Sequence, residues 1–178
     1  MQLLRGGWPS GKVHARNLEH AHALDTDGFV FRGSKPGDAA SVTALVRAHL
    51  TGVPDFAYAR SDGAVVVEAP GGGVVGVAVV RASLSPEQNV VVQVRALVTA
   101  PPHRNRGVAS LALGVIPQVL GPDLVPQVIF GNASSAHAAF FQRNGFDVLQ
   151  PGEKLDLGAH TAALVPDTPF DTWFVRSS

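Results

Sequence analysis

The sequence contains no cysteine. Disulfides, thiolate metal sites and a covalent cysteine mechanism are thereby excluded, and nothing points to an oxidising compartment. An excess of charge is missing too. The 14 Lys and Arg residues balance 14 Asp and Glu, so no long-range field draws the chain toward nucleic acid or a membrane surface, and neither is expected as a partner. The first residues carry arginines, a lysine and glycines but no continuous apolar run of the kind a secretory signal needs, which leaves the cytoplasm as the expected location. Gly107–Pro122 and Leu124–Gln142 are uncharged and long, yet prolines and Asn, Ser, Gln and His residues interrupt them, against a spanning helix. Internal repeats are absent. At 178 residues the chain has room for one domain with a substantial core.

Hydropathy patterning divides the chain unevenly. Met1 to Asp27 shows no strong periodicity and reads as an extension that drapes on the domain or is partly mobile, with residues 28–178 forming the domain proper. Its His14, His20 and His22 have no flanking carboxylates in a metal-ligand pattern, so solvation is the expectation and no metal is called for. Gly28 to Arg32 predicts a first strand. A helix follows the Lys35–Asp38 turn, capped by Asp38 or Ser41 and carrying Val42, Leu45, Val46 and His49 at helical spacing. Gly52 to Asp62 is ambiguous between a short helix and a loop. Valine-rich Ala64–Ala69 and Val74–Ser83, separated by Pro70-Gly71-Gly72-Gly73, predict a hairpin.

Beyond a loop at Leu84–Asn89, Val90 to Ala100 predicts a long strand. The next helix, from about Arg104, keeps Val108, Leu111 or Ala112, Val115 and Val119 on one face, with Gly114 and Pro117 set to end or kink it. Leu124–Phe130 predicts a strand, Ala133–Arg143 a helix, Gly145–Leu149 a strand and Thr168–Arg176 a last one. An early hairpin followed by strands interrupted by helices argues for an α+β class with a mixed, mostly antiparallel central sheet flanked by helices.

The junction after the long strand carries the chemistry. Leu97-Val98-Thr99-Ala100-Pro101-Pro102-His103-Arg104-Asn105-Arg106-Gly107-Val108-Ala109 runs from a strand through a proline break into Arg-x-x-Gly-x-Ala at the head of a helix. Unpaired N–H groups and the dipole at a helix start favour an anion, such as a diphosphate. Gly107 has no Cβ and Ala109 the smallest one, which lets phosphate oxygens approach the main chain, while Arg104 and Arg106 add charge-assisted donors.

This stretch resembles the acetyl-CoA signature of the GNAT N-acetyltransferases, Val-x-Pro-x-x-Arg/Gln-x-x-Gly-x-Gly/Ala. Thr99 takes the valine position, Pro101 the proline, Arg104 the Arg/Gln, Gly107 the glycine and Ala109 the final small residue; Asn105 replaces a frequent glycine, and Ser110 stands where a hydroxyl often reaches a phosphate. A second stretch, Ser134 to Phe146, resembles the family's Asn-x-x-Ala-x-x-x-Tyr-x-x-x-Gly-Phe. It departs at Ser134 for Asn, unless Asn132 substitutes, at His137 for Ala and at Phe141 for the tyrosine acid. The two stretches lie in family order and span roughly Val74 to Leu149.

The resemblance implies a GNAT-like fold, acetyl-CoA as acyl donor and direct transfer to a primary amine of a small molecule or peptide. It further implies that the pantetheine arm pairs with the main chain of Leu97, Val98 and Thr99, one N–H of which stabilises the developing oxyanion. Arg104, Asn105, Arg106, Gly107, Val108, Ala109 and Ser110 would hold the diphosphate, with Asn132 or Ser134 and Phe141 beside the cofactor. Without tyrosine at 141 the acid role needs another donor or none; none is tolerable, because a thiol with a pKa near 8.5 leaves readily as thiolate, at a rate cost on the order of 10²–10⁴-fold.

The strand before the signature offers no carboxylate, only Gln93 and Arg95, which strict alternation places on one face with Val91 and Leu97. Gln93 and Arg95 are candidates for acceptor binding. Arg95 either faces the acceptor cleft or meets an internal carboxylate, since burying it unpaired is costly. Glu68 is a candidate water-mediated base. A catalytically weakened acyl-CoA-binding module acting as sensor or partner subunit remains the alternative, and a homodimer is left open.

Overall fold

Valine in runs dictates the centre of the molecule, because its β-branched side chain suits a strand whose two faces are both covered. In the computed structural model, residues 11–85, 88–121, 124–157 and 170–177 are described. Residues 1–10 of the expected extension, part of the Leu84–Asn89 loop and the start of the expected tail strand at Thr168 lie outside them. Strands β1 (Val30–Gly33), β2 (Gly63–Glu68), β3 (Val74–Leu84), β4 (Val90–Thr99), β5 (Pro126–Ala133), β6 (Asp147–Val148) and β7 (Thr172–Ser177) form one 7-stranded sheet in the order β1-β2-β3-β4-β5-β7-β6. Each neighbouring pair is antiparallel except β4 and β5. The expected α+β class with a mixed, mostly antiparallel sheet is what forms.

Helices cover both faces. Helix α1 (Gly11–Thr26), α3 (Val108–Gly114) and α5 (Ala138–Arg143) contribute Ala21, Leu24, Val108, Leu111 and Phe141 to a core with Val65, Val67, Ala78, Val80, Val92 and Val94. On the opposite face α2 (Ala39–His49) sets Val42, Leu45 and Val46 against Ala64, Val66, Val77, Val79, Ala96 and Val98. Burying each such valine or leucine is worth about 1.5–3 kcal/mol, and β2, β3 and β4 contribute to both cores. A parallel pair needs a crossover; α3 followed by α4 (Ile116–Leu120) supplies it, broken at Gly114 with Pro117 in the first turn of α4 as the sequence predicts.

Two features of β4 make a site. A bulge sets Val79 opposite Ala96 and Val80 opposite Val94, leaving Arg95 as the extra residue. The bulge reverses the alternation, so Val94 packs in the first core while Ala96 and Val98 pack in the second. Strict alternation had joined Arg95 and Leu97 on one face; Leu97 instead packs against the first core, and Arg95 lies over Phe56 of the second. Second, β4 and β5 pair only from Val90↔Pro126 to Val94↔Gly131. Beyond that point β4 continues along β3 and β5 along β7, and the strands part.

Elsewhere the helix expected from about Arg104 begins only at Val108, after a 3₁₀ turn at Pro101–His103. Strand β5 runs Pro126–Ala133 rather than Leu124–Phe130, and β6 is confined to Asp147–Val148. Two further departures shape the walls of the site. The stretch read as a draped or mobile extension contains a 16-residue helix with Asn17, Ala21 and Leu24 buried. Its periodicity was masked because Asn17 is polar, and this residue fits inside only because Gly114 of α3 leaves it room. The helix expected over Ala133–Arg143 is shorter. Ala133 still belongs to β5, a 3₁₀ turn spans Ser135–His137, and α5 begins at Ala138.

Candidate functional site

A cleft of about 1190 Å³ opens where β4 and β5 diverge. Its floor is β4 itself: Val94 to Thr99 line it, so the main chain of Leu97, Val98 and Thr99 is open to the cleft without a β5 partner. The Thr99 hydroxyl is buried with no protein partner, and the Thr99 carbonyl accepts a 3.0 Å bond from Arg104 Nε. An unpaired strand edge in a groove can receive an extended amide-bearing ligand.

The turn at the end of β4 has the backbone its sequence requires. Asn105 sits at φ +61° and Gly107 at φ +84°. Asn and Gly are the residues that tolerate this left-handed region, which explains how Asn105 stands in for a glycine. Left-handed residues in such a turn are the means by which backbone N–H groups form concavities for anions. Arg104, Asn105, Gly107, Val108, Ala109 and Ser110 all line the cleft.

Two expectations for this turn need correction. Arg106 does not line the cleft: its guanidinium pairs with Asp27 and lies 4.8 Å from the centre of the Phe29 ring. Gly107 does not leave its Cβ position open to a ligand, because a Cβ there would lie 2.8 Å from His20 Cδ2 and closer still to Cγ and Nδ1. The missing side chain makes room for His20 of α1.

The facing wall comes from β5, the 3₁₀ turn and α5. Asn132 and Ser134 both line the cleft. Asn132 Nδ2 donates to the Thr172 carbonyl at 3.0 Å, whereas Ser134 caps the 3₁₀ turn by accepting from Ala136 N–H at 3.4 Å. Phe141 also lines it, 5% exposed, stacked on Phe174 at 3.7 Å between ring centres. That packing is possible because Gly131 has no side chain under the Phe174 ring. Asp171 sits on this wall too, accepting from both the N–H and the hydroxyl of Ser135; those bonds hold its carboxyl below its ordinary range.

At the other end Arg95 reconciles the two readings that its sequence left open. It lines the cleft and also pairs with Asp62 while lying 5.2 Å from the Phe56 ring centre. The Asp62 carboxylate is wholly buried and is shared with Arg81 at 2.9 Å, with the Ala59 N–H donating to it at 2.8 Å. Gln93 is half-buried and outside the cleft lining. Glu68 is also outside: Arg32 Nη2 holds its Oε1 at 2.6 Å, in a cluster that includes Asp38. Its guanidinium partner comes from β1, the neighbouring strand.

Sequence reasoning did not place Arg16 and His20 of α1, His49 of α2 or Asp171 in the cleft, yet all line it. Asp62 was missed as well; its only trace was the demand that a strand arginine find a carboxylate. Burial, and secondarily the Arg16 charge, pushes the His20 imidazole below its ordinary pKa. Among the described residues no helix is long and apolar enough to cross a membrane, and no three His, Cys, Asp or Glu gather as a metal would require.

The architecture is the fold of the GNAT N-acetyltransferases, with its sheet parted at the parallel pair. No protein-family model and no curated protein matches the sequence. Solved structures are similar in fold. Arabidopsis thaliana NAA60 in complex with acetyl-CoA is similar with a TM-score of 0.60 at 15% identity, over 84% of this chain and 98% of that one. Tetrahymena GCN5 is similar with a TM-score of 0.61 at 12% identity, over 83% and 95%. The GNAT family N-acetyltransferase YhbS from Escherichia coli in complex with CoA is similar with a TM-score of 0.57 at 17% identity, over 84% and 81%.

Proposed function

We propose that this chain is an acyl-CoA-dependent N-acyltransferase that moves an acetyl group from acetyl-CoA to a primary amine of a small molecule or peptide. The observation that carries the reading is the parting of β4 and β5 after Val94 and Gly131, which opens the Leu97–Thr99 main chain to a groove running to the Arg104–Gly107 turn. Leu97, Val98 and Thr99 pair with the amide-bearing arm of the donor, and Arg104, Asn105 and Gly107 to Ser110 receive its phosphates. Acetyl-CoA supplies an acyl group activated as a thioester.

The protein's own residues align and neutralise. A β4 N–H near Leu97 to Thr99 donates to the carbonyl oxygen as negative charge gathers there. The acceptor amine enters from the Arg95 end, where the guanidinium fork, fixed by Asp62 and Phe56, suits an acceptor that also carries a carboxylate. As the N–C bond forms and the C–S bond breaks, the amine proton leaves to water or to an imidazole lining the cleft, His49, His103 or His137. Phe141 packs against the donor and gives no proton, and the thiolate leaves unaided.

A second reading, an acyl-CoA-binding module without turnover, is favoured by Phe141 and by Asp171 being already bonded to Ser135. One experiment separates the two. The full chain is incubated with acetyl-CoA and a panel of amines, and free CoA is followed with a thiol reagent, to which a cysteine-free protein contributes no background. Amine-dependent CoA release supports the transferase; tight binding with no release supports the module; the absence of binding refutes both.

A further inference from the structure

We propose that α1 is a fixed wall of the phosphate end of the cleft, and that Arg16 and His20 bind phosphates at the nucleotide end of the donor. The proposal rests on reading the cleft as an acyl-CoA site. It adds two ligands from an element outside both sequence signatures.

Placement comes first. Arg16 and His20 are one helical turn apart, beside the buried stripe Asn17, Ala21 and Leu24, and both line the cleft. His20 packs on Gly107 at the head of the anion turn. Arg16 reaches the opposite side, where Nη2 donates to the Arg143 carbonyl at 2.7 Å and to Asn144 Oδ1 at 2.9 Å. Helix α1 therefore bridges the start of α3 and the end of α5, the two elements between which the cleft opens.

The helix is also fixed. Three of its side chains are buried, and just beyond its end Asp27 pairs with Arg106. A strap poised to move would not be sunk into the core. Arg106, expected on the ligand, instead ties this helix to the turn.

Charge then selects the ligand. Arg16, Arg104 and Arg143 line this end with His20, and among the described lining residues the one carboxylate is Asp171, which Ser135 already holds. Arg16 Nε is buried without a protein partner. A buried donor left unpaired is costly, so an acceptor supplied by the ligand fits it. An anion carrying several charges matches such a surface, as adenosine 3′,5′-bisphosphate does.

The test measures the affinity of the full chain for CoA, for adenosine 3′,5′-bisphosphate and for phosphate-free pantetheine by calorimetry, with Arg16→Gln, Arg16→Lys and His20→Gln beside the unaltered protein. Expected is a loss on the order of 10- to 100-fold for CoA and the bisphosphate in Arg16→Gln, with pantetheine unchanged and partial recovery in Arg16→Lys. His20→Gln leaves the Arg16 anchor in place and should show a smaller, phosphate-selective loss. Equal losses for CoA and pantetheine would make Arg16 a structural anchor and overturn the proposal. Tighter CoA binding in the variants would also overturn it, by making α1 an obstruction. Should the unaltered protein bind none of the three, the acyl-CoA reading itself fails.

Discussion

Placing alanine at Gly107 probes whether that glycine exists for the fold or for a ligand. Two costs add. Gly107 has φ +84°, where a side chain is strained by about 1–2 kcal/mol. The new methyl would also press into the His20 ring, 2.8 Å from Cδ2 and nearer to Cγ and Nδ1. His20 cannot simply swing aside with its helix, because Asn17, Ala21 and Leu24 hold α1 in the core; overpacking of this kind costs about 1–3 kcal/mol. The sum is about 2–5 kcal/mol. At roughly 2–4 °C per kcal/mol for a chain of this size, the melting temperature should fall by roughly 4–20 °C. Urea unfolding of four proteins, the unaltered chain, Gly107→Ala, His20→Ala and the double variant, separates the terms. Removing the ring leaves only the backbone strain, so Gly107→Ala should be milder by about 1–3 kcal/mol in the His20→Ala background. Additivity within about 0.5 kcal/mol would mean that the ring does not occupy the glycine's empty side, and the account of α1 would fall with it.

Two further expectations concern ion pairs. Arg32 holds the Asp38 carboxyl at about 2, below its ordinary 3.8, so the folded protein is favoured above about pH 4 and loses that contribution as pH falls toward 2. Asp38→Asn should therefore cost up to about 2 kcal/mol at neutral pH, with the gap to the unaltered protein closing on acidification; a gap unchanged down to pH 2 would refute the pairing. Asp62→Asn leaves Arg81 and Arg95 without their shared, wholly buried carboxylate. The loss should be about 2–4 kcal/mol by chemical denaturation, below the most severe buried-pair losses because both arginines still reach water, and a loss under about 1 kcal/mol would contradict it.

Much of the sheet was legible because valine-rich segments and the Pro-Gly-Gly-Gly turn are local signals. The hairpin of β2 and β3, the long β4 and the break at Gly114 and Pro117 all follow from neighbours in sequence. The left-handed turn after β4 was legible for the same reason, since its shape depends on Asn105 and Gly107 themselves. Where side-chain partners lay far along the chain, reading failed. Glu68 pairs with Arg32 and Arg106 with Asp27, partners 36 and 79 residues away along the chain. Helix α1 escaped notice because its inward face includes a polar asparagine, acceptable only against Gly114.

By itself, then, the sequence determined the main strands, the left-handed turn at Asn105 and Gly107 and the absence of cysteine chemistry, all of which depend on composition and near-neighbour sterics. Only the tertiary structure decided where β4 and β5 part, that the bulge at Arg95 turns that arginine toward Asp62 and the cleft, and that α1 closes over Gly107 with Arg16 and His20. Those outcomes depend on register and on contacts across more than a hundred residues, such as Arg16 with Asn144. No local pattern encodes such pairings, because the free energy that selects them comes from packing the whole chain at once.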